Sequence, residues 1–162
     1  MPANKIIHEI YVGDLQDALN WDGNLLCVLE ERPKDEPTNA LHIPILGLKW
    51  EKKENADGYV DKALTVQLDA VAHVIQNHID AKEKLLVHCG AGMERSPLAL
   101  TWYLHTRMGL TLEEAFEFVK ERRPQAQNRL EWISGWKERH FKAVKESEEK
   151  FKTHTAGQEI DI

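Results

Sequence analysis

The chain is 162 residues long and carries a formal net charge of −6, so it suits a single domain that can bury about two-thirds of its unfolded surface. The acidic balance disfavours nucleic acid and acidic membranes as nonspecific partners, because both bind basic surfaces. The sequence contains neither a secretory signal nor a long apolar span, so we expect a cytoplasmic protein without a membrane partner.

Four short apolar runs predict the strands of a sheet. Clusters of turn-forming residues at 21–24 and 31–37 separate the first three runs. No repeat, low-complexity segment or linker interrupts the sequence, which predicts one domain over residues 1–147. The predicted strands lie at 6–12, 25–29, 41–46 and 84–88.

A long helix is predicted over residues 60–80, because apolar residues recur there at steps of three and four along one face. The segment 97–107 is apolar most of the way round its circumference, which predicts a central, buried helix. The apolar residues of the long helix are Leu64, Leu68, Val71, Ile75 and Ile79.

Two further helices are predicted after residue 110. Thr111 and Glu114 have the spacing of a capping box, and Pro124 helps to end the helix that this box starts. A last helix is predicted from residue 128, followed by a polar tail at 148–162 that we expect to be frayed or disordered. The predicted buried residues are Leu112, Ala115, Phe116 and Val119 in the first helix, and Leu130, Ile133, Trp136, Phe141 and Val144 in the second.

Strands followed by helices predict an α/β fold, in which a central mixed sheet is flanked by helices on both faces. Ligands in such folds bind at the carboxyl ends of strands. Cys89 comes directly after the apolar run at 84–88. The sequence therefore places a nucleophilic side chain where a ligand is expected.

The segment from Val87 to Pro97 reads Val-His-Cys-Gly-Ala-Gly-Met-Glu-Arg-Ser-Pro. Ser96 suits the N-cap of a helix and Pro97 its first position, so the glycine-rich loop is predicted to lie at a helix N-terminus. Unpaired N–H groups and the positive end of the helix dipole favour a bound anion and an ionised sulfur there.

The residue types in this loop suit attack on a phosphate ester. Cys89 would act as a thiolate, since such sites lower the pKa of cysteine to roughly 3.5–7.5. Gly90 and Gly92 allow consecutive amides to turn inward without a Cβ clash, and Arg95 can hold two phosphate oxygens in a planar fork. Ser96 can donate a hydrogen bond to the departing sulfur. The alternative interpretation is a buried structural cysteine followed by an ordinary turn.

The imidazole of His88 can brace the loop through its ring nitrogens. With it, residues 88–96 resemble the signature of the protein tyrosine phosphatase superfamily, His-Cys-x-x-Gly-x-x-Arg-Ser/Thr, and specifically its dual-specificity branch. Weaker matches follow in the family's order, so the resemblance covers roughly residues 5–142. These matches are Ile10-Tyr11-Val12-Gly13-Asp14 with Asp17-Ala18, His42-Ile43-Pro44-Ile45, and Arg123-Pro124-x-Ala126-x-Asn128.

The resemblance implies a two-step phosphatase that needs neither a metal nor a cofactor. Cys89 attacks phosphorus to form a cysteinyl-phosphate while Asp57 protonates the leaving oxygen, and Asp57 then activates water. Bound phosphate would be held by the loop residues Gly90, Ala91, Gly92, Met93, Glu94 and Arg95.

Asp57 is the predicted general acid because it lies in the loop from Lys49 to Gly58, 32 residues before the loop cysteine, and related phosphatases place this aspartate similarly. The same position also suits the N-cap of the long helix, and capping and catalysis are compatible. Glu54 and Asp61 are the alternative general acids.

A phosphorylated protein is the expected partner, with phosphotyrosine and also phosphoserine or phosphothreonine as the substrate groups, and we expect a monomer. The loop interior contains no lysine, which disfavours polyphosphorylated lipids, and Glu94 argues against very acidic phosphopeptides. Two alternatives stay open. One is a phosphatase of a sugar phosphate, a nucleotide or an RNA 5′ end, and the other is a noncatalytic phosphate-binding module.

The two cysteines, Cys27 and Cys89, do not make a disulfide framework, and a catalytic thiolate requires a reducing compartment. A thiolate of low pKa is also open to oxidation by peroxide. Cys27 could trap the resulting sulfenic acid as a disulfide only if the two Cα atoms lie within about 7 Å of each other.

Overall fold

A mixed sheet lies at the centre of the protein in a computed structural model, which describes residues 2–35, 40–45 and 59–133, without the side chains of 59–63. Its strands are β1 (Asn4–Ile7), β2 (Ile10–Gly13), β3 (Asn24–Cys27), β4 (Leu41–His42) and β5 (Leu85–His88). Their order across the sheet is β1-β2-β5-β3-β4. β1 is antiparallel to β2, and the other neighbours are parallel. The predicted mixed α/β fold is confirmed.

The prediction of one strand over 6–12 is wrong, because the chain turns back on itself within this run. His8 and Glu9 connect β1 to β2, and Ile7 pairs with Ile10 across the hairpin. His8 has a φ of 50°, a left-handed conformation of the kind that tight hairpin turns use. Histidine and glutamate are not typical turn formers, so the sequence carries no clear signal of this turn.

β3 and β4 form where they are predicted but end earlier, at Cys27 and His42. The two segments stay paired beyond these residues. Ile43 N donates to Cys27 O at 3.0 Å, and Ile45 N donates to Val28 O at 3.1 Å. The chain therefore stays tied to the edge of the sheet as far as Ile45.

The predicted long helix, the buried helix at 97–107 and the helix after Thr111 are confirmed. The structure shows α1 (Leu15–Leu19), α2 (Tyr59–Ala81), α3 (Arg95–Met108) and α4 (Leu112–Arg122), followed by a 3-10 turn at Leu130–Trp132. In the described part of the chain, none of the helices is both long and apolar enough to cross a membrane. The predicted apolar residues that are buried include Leu64, Leu68, Val71, Ile75, Leu112, Ala115 and Val119.

Alternate residues of the central strand β5 enter two different cores, as the two-residue period of a strand requires. Leu85 and Val87 belong to the larger core, which α2, α3 and α4 close from one side of the sheet. Leu86 belongs to a smaller core on the opposite side, which α1 closes with Ala18. Helices therefore flank both faces of the sheet, and β5 is buried throughout.

Helix α1 is not among the helices predicted from the sequence, although its start carries a signal. Asp17 N donates to Asp14 Oδ1 at 2.8 Å, and Asp14 N donates to Asp17 Oδ2 at 2.9 Å. This is a capping box with aspartate in the place of the usual glutamate or glutamine. Partial burial raises the pKa of Asp17, and the neighbouring Asp14 carboxylate acts in the same direction.

The predicted start of α3 is wrong by two residues, because Glu94 and not Ser96 occupies the N-cap position. The Glu94 side chain makes no capping hydrogen bond, while the Ser96 hydroxyl lies inside the first turn and faces a sulfur atom. Pro97 is also inside the first turn and not at its first position. Its missing N–H costs nothing there, since the first four N–H groups of a helix have no partner within the helix.

The predicted last helix is only partly described. The chain forms the short 3-10 turn at Leu130–Trp132. Leu130 and Ile133 are buried as predicted, and Trp132 is buried as well. The remaining predicted core residues of this helix lie outside the described residues, as does the polar tail at 148–162. These residues are Trp136, Phe141 and Val144.

Thr111→Ala should lower the free energy of unfolding by about 1 kcal/mol, because Thr111 Oγ1 accepts a hydrogen bond from Glu114 N at 3.1 Å at the start of α4. Urea denaturation measures this loss. Thr106→Ala is the matched control, since Thr106 Oγ1 donates to Trp102 O within α3, a local bond of small net value. Equal losses in the two variants would contradict the capping role.

Candidate active site

Cys89 follows β5 directly and lies at the carboxyl end of the central parallel strand, as predicted. Only 4% of the residue is exposed. Its Sγ lies 3.3 Å from the hydroxyl oxygen of Ser96, which comes from the first turn of α3. The strand and the helix thus bring together the predicted nucleophile and the predicted hydrogen-bond donor to its sulfur.

His88 holds the start of the loop to the sheet. Its carbonyl accepts a hydrogen bond from Val28 N at 2.9 Å, and the residue pairs with Cys27 in the register of β3 and β5. The side chain of His88 is fully buried. The main chain therefore anchors the loop at this residue, and bracing by the imidazole stays a prediction.

Three carbonyl groups of the loop point outward and accept hydrogen bonds from the surrounding structure. Because the N–H and C=O of a planar trans peptide point in opposite directions, an outward carbonyl turns the following N–H inward. Successive inward N–H groups make an anion-binding concavity. The bonds are Leu15 N to Gly90 O at 3.0 Å, Arg123 Nε to Gly92 O at 2.6 Å, and Gln127 N to Met93 O at 2.7 Å.

Arg123 is one of two site residues that the sequence did not single out, since it appeared there only as part of a family match. It is 1% exposed, and besides Gly92 it binds Asn4 Oδ1 at 2.8 Å and Val12 O at 3.2 Å. Burial lowers the pKa of its guanidinium, while nearby acidic groups, including Asp17, act in the opposite direction. Arg123 therefore links β1, β2 and the loop from its position at the end of α4.

Gly92 is required by both its conformation and its surroundings. Its φ of +68° lies in the left-handed region, and a Cβ there would lie 2.7 Å from Gly13 O and even closer to Arg123 Nη2. At Gly90, by contrast, a Cβ would lie 3.8 Å from Leu29 Cδ2, an ordinary contact. The predicted steric need for glycine thus holds at Gly92 and not at Gly90.

Arg95 is held at the mouth of the loop by two groups from the sheet edge. Its Nε donates to Ile45 O at 2.7 Å, and its Nη2 donates to Glu30 Oε1 at 2.8 Å. Glu30 is a second site residue that the sequence analysis missed. A guanidinium has five N–H donors, so these bonds leave further donors for the two phosphate oxygens that Arg95 is predicted to hold.

The remaining loop residues lie at the surface of the site. Ala91 is exposed, while Met93 and Glu94 are partly buried. Glu94 Oε2 forms an ion pair with Arg129 Nε at 3.4 Å. The loop therefore presents its backbone to the predicted anion site, and its one acidic side chain is paired with a cation.

The predicted general acid and its alternatives are not located by the described structure. Asp57 and Glu54 lie outside the described residues, and Asp61 belongs to α2 without a described side chain. The assignment of Asp57 stays a prediction.

Cys27 and Cys89 point to opposite faces of the sheet. Val28 and Cys89 both belong to the larger core, and side chains alternate between faces along a strand, so Cys27 of β3 faces the other side. Cysteines whose Cβ vectors diverge cannot be bridged without backbone movement. The structure therefore argues against Cys27 as a disulfide partner for oxidised Cys89.

The groups that converge at the loop are a thiol, a hydroxyl, a guanidinium and inward-facing amides. These groups suit nucleophilic attack on a bound oxyanion, with hydrogen bonds and a positive charge to stabilise the transition state. Among residues 2–35, 40–45 and 59–133, no group of three or more histidine, cysteine, aspartate or glutamate side chains could hold a metal ion.

A comparison with protein-family models matches residues 24–138 to the family described as "Dual specificity phosphatase, catalytic domain". The matched range is more than half of the chain. It includes the whole loop from His88 to Ser96 and extends past Arg129.

Two relatives illustrate the range of similarity. The protein 123R of Invertebrate iridescent virus 6, named as a tyrosine phosphatase, is 28% identical over 126 residues, which are 76% of this chain and 81% of that protein. Human dual specificity protein phosphatase 16 is 29% identical over 130 residues, which are 74% of this chain and 18% of that protein. The chain thus spans most of the viral relative and less than a fifth of the human one.

The crystal structure of human DUSP28 is similar over 91% of this chain and 96% of that chain, with a TM-score of 0.60 and 23% sequence identity. At this level of identity the similarity establishes a common fold. The layered architecture that places Cys89 at the end of β5 is therefore shared with solved phosphatase-fold proteins.

Gly92→Ala should lower the free energy of unfolding by about 2–4 kcal/mol, because it combines left-handed strain with a clash. Urea denaturation measures the loss, and orthophosphate binding should be lost with it. Gly109→Ala is the matched control, since its φ is +75° but nothing lies within 4 Å of the added Cβ; strain alone predicts about 1–2 kcal/mol. Gly90→Ala should be tolerated. Equal losses at Gly92 and Gly109 would argue against the clash with Arg123.

Proposed function

The chain belongs to the dual specificity phosphatase family and is a phosphatase, and we propose that it hydrolyses phosphotyrosine, and also phosphoserine and phosphothreonine, in proteins through a cysteinyl-phosphate intermediate. The observation that carries this proposal is the position of Cys89 Sγ, 3.3 Å from Ser96 Oγ beneath a loop whose carbonyls are bonded outward. A nucleophile and an anion cradle thus occupy one site.

In the first step, the Cys89 thiolate attacks phosphorus and the bond to the leaving oxygen breaks. Asp57 gives its proton to that oxygen, which departs as the hydroxyl of the dephosphorylated residue. Inward amides and Arg95 stabilise the charge on the three equatorial oxygens. Preorganised donors of this kind are usually the largest catalytic contribution, with single donors worth about 2.7–4 kcal/mol.

In the second step, water attacks the cysteinyl-phosphate and the sulfur–phosphorus bond breaks. Asp57, now a carboxylate, takes the proton from the attacking water. The Ser96 hydroxyl donates a hydrogen bond to the departing sulfur, and the 3.3 Å separation of the two atoms supports this role. The enzyme returns to its starting state when inorganic phosphate leaves.

A protein substrate is supported by the family and by the shape of the loop rim. Gly90 and Ala91 are exposed, so the outer side of the site is open to a large substrate. We further propose that the enzyme works as a monomer in the cytoplasm, where a reducing environment keeps the Cys89 thiol free.

Cys89→Ser should reduce the release of nitrophenol from p-nitrophenyl phosphate by at least about a thousandfold, because the covalent intermediate can no longer form. Rapid-quench measurements on the unaltered enzyme should show a burst of nitrophenol. Cys27→Ala is the matched control, since it removes a thiol that faces the other side of the sheet. Rapid turnover by Cys89→Ser would exclude the mechanism and favour a different nucleophile.

Asp57→Ala should lower kcat about a hundredfold or more and remove the fall of activity at alkaline pH, because the leaving oxygen then has no proton donor to titrate. The loss should be larger for phenyl phosphate than for p-nitrophenyl phosphate, whose leaving group needs less help. Glu54→Ala and Asp61→Ala are the comparison variants. If one of these variants shows the altered pH profile and Asp57→Ala does not, that residue is the general acid.

A further inference from the structure

Glu94 is an acidic residue at a point where an acid opposes anion binding. It is the N-cap residue of α3 and immediately precedes Arg95 in the loop. The N-terminus of a helix attracts a phosphate through its free N–H groups and its dipole. An uncompensated carboxylate here would repel a phosphate dianion at short range.

Arg129 lies against this carboxylate and is held in place from several directions. Its Nε is 3.4 Å from Glu94 Oε2, and its Nη2 donates to Gln127 Oε1 at 2.7 Å. Its guanidinium also lies 5.8 Å from the centre of the Trp132 ring, within the range of a cation–π interaction. A second carboxylate, that of Glu131, lies farther away at 3.9 Å and is more exposed.

Arg129 belongs to the segment 127–132, which also contacts the loop directly. Gln127 N binds Met93 O, the carbonyl directly before Glu94. Trp132 lies 5.8 Å from the guanidinium of Arg95 as well as from that of Arg129. Arg129 is therefore positioned on the rim of the proposed phosphate site and not at a remote surface.

We propose that Arg129 is a positioning residue that neutralises Glu94 at the rim of the loop, so that the site can bind a phosphate dianion although its own sequence contains an acid. The inference deepens the proposed function and rests on the loop being a phosphate site. It also changes the expectation drawn from the sequence, in which Glu94 argues against acidic phosphopeptides. With its charge balanced, Glu94 no longer opposes such substrates.

A contribution to stability alone does not account for this pair. The side chains of Glu94 and Arg129 are 32% and 29% exposed, and ion pairs of partly exposed groups contribute little to folding free energy. Glu94 also forgoes the capping hydrogen bond that an N-cap side chain usually makes. The main consequence of the Glu94–Arg129 pair is therefore electrostatic, because it cancels the negative charge of Glu94 at the rim of the loop.

A double-mutant cycle in the full chain tests the proposal, with inorganic orthophosphate as the probe and calorimetric titration as the measurement. Arg129→Gln should weaken phosphate binding roughly tenfold, because it leaves Glu94 uncompensated, and Glu94→Gln should tighten it by a similar factor, because it leaves Arg129 uncompensated. The double variant should return to within about twofold of the unaltered protein. Arg129→Lys, which keeps the charge, should bind phosphate almost normally.

The Lys5–Glu9 ion pair provides the matched control. Its atoms are 3.1 Å apart, and Glu9 O accepts a hydrogen bond from Leu85 N at the start of β5, the end of the strand opposite to Cys89. Lys5→Gln, Glu9→Gln and their combination change the net charge in the same way as the test variants. They should leave the phosphate dissociation constant unchanged.

The proposal is supported if Arg129→Gln weakens phosphate binding, Glu94→Gln tightens it, and the two changes cancel in the double variant. Weakening by both single variants without recovery in the double variant would show that the pair acts only through packing, and would overturn the proposal. If Arg129→Gln does not fold, the change of phosphate affinity in Glu94→Gln still decides. Tighter binding supports the proposal, and weaker binding overturns it. These outcomes are independent of Cys89→Ser, so the phosphatase mechanism and the role of Arg129 can fail separately.

Discussion

The shape of the loop from His88 to Ser96 depends on one buried guanidinium, that of Arg123. Its Nε binds Gly92 O at 2.6 Å, and its Nη1 binds the side chain of Asn4 and the carbonyl of Val12. A buried charge without partners would be strongly destabilising, so the folded state requires these hydrogen bonds to Arg123. The left-handed backbone of Gly92 brings its carbonyl to the guanidinium. The hairpin, the loop and the end of α4 are thereby joined at the floor of the site.

Two further arginines, Arg95 and Arg129, each lie 5.8 Å from the centre of the Trp132 ring, and each has a carboxylate partner. Arg95 binds Glu30 at 2.8 Å, and Arg129 binds Glu94 at 3.4 Å. The guanidinium groups are therefore placed before an anion arrives. Beside its bonds to Ile45 and Glu30, Arg95 keeps further N–H donors. An acidic protein can thus hold cationic side chains at the predicted anion site, because each of them is paired with a carboxylate.

Much of the fold could be predicted from the sequence wherever the deciding contacts are local. The capping box of Thr111 and Glu114, the apolar face of α2 and the buried character of α3 all depend on residues within a few positions of each other. The hairpin at His8 could not be predicted, because its turn uses a residue with no strong turn preference. The start of α3 could not be predicted either, since the Ser96 hydroxyl faces Cys89 and the N-cap position lies two residues earlier, at Glu94.

The sequence by itself determined the contiguous part of the site, and hence the family and the class of chemistry. This part is a cysteine, two glycines, an arginine and a serine where a buried strand gives way to a helix. Only the tertiary structure decided the partners of these residues. The hydrogen bond between Gly92 and Arg123 joins residues 31 positions apart in the sequence, and the one between Arg95 and Glu30 joins residues 65 positions apart. Such contacts depend on how the strands and helices are placed against each other, and no local pattern of residue types encodes that placement.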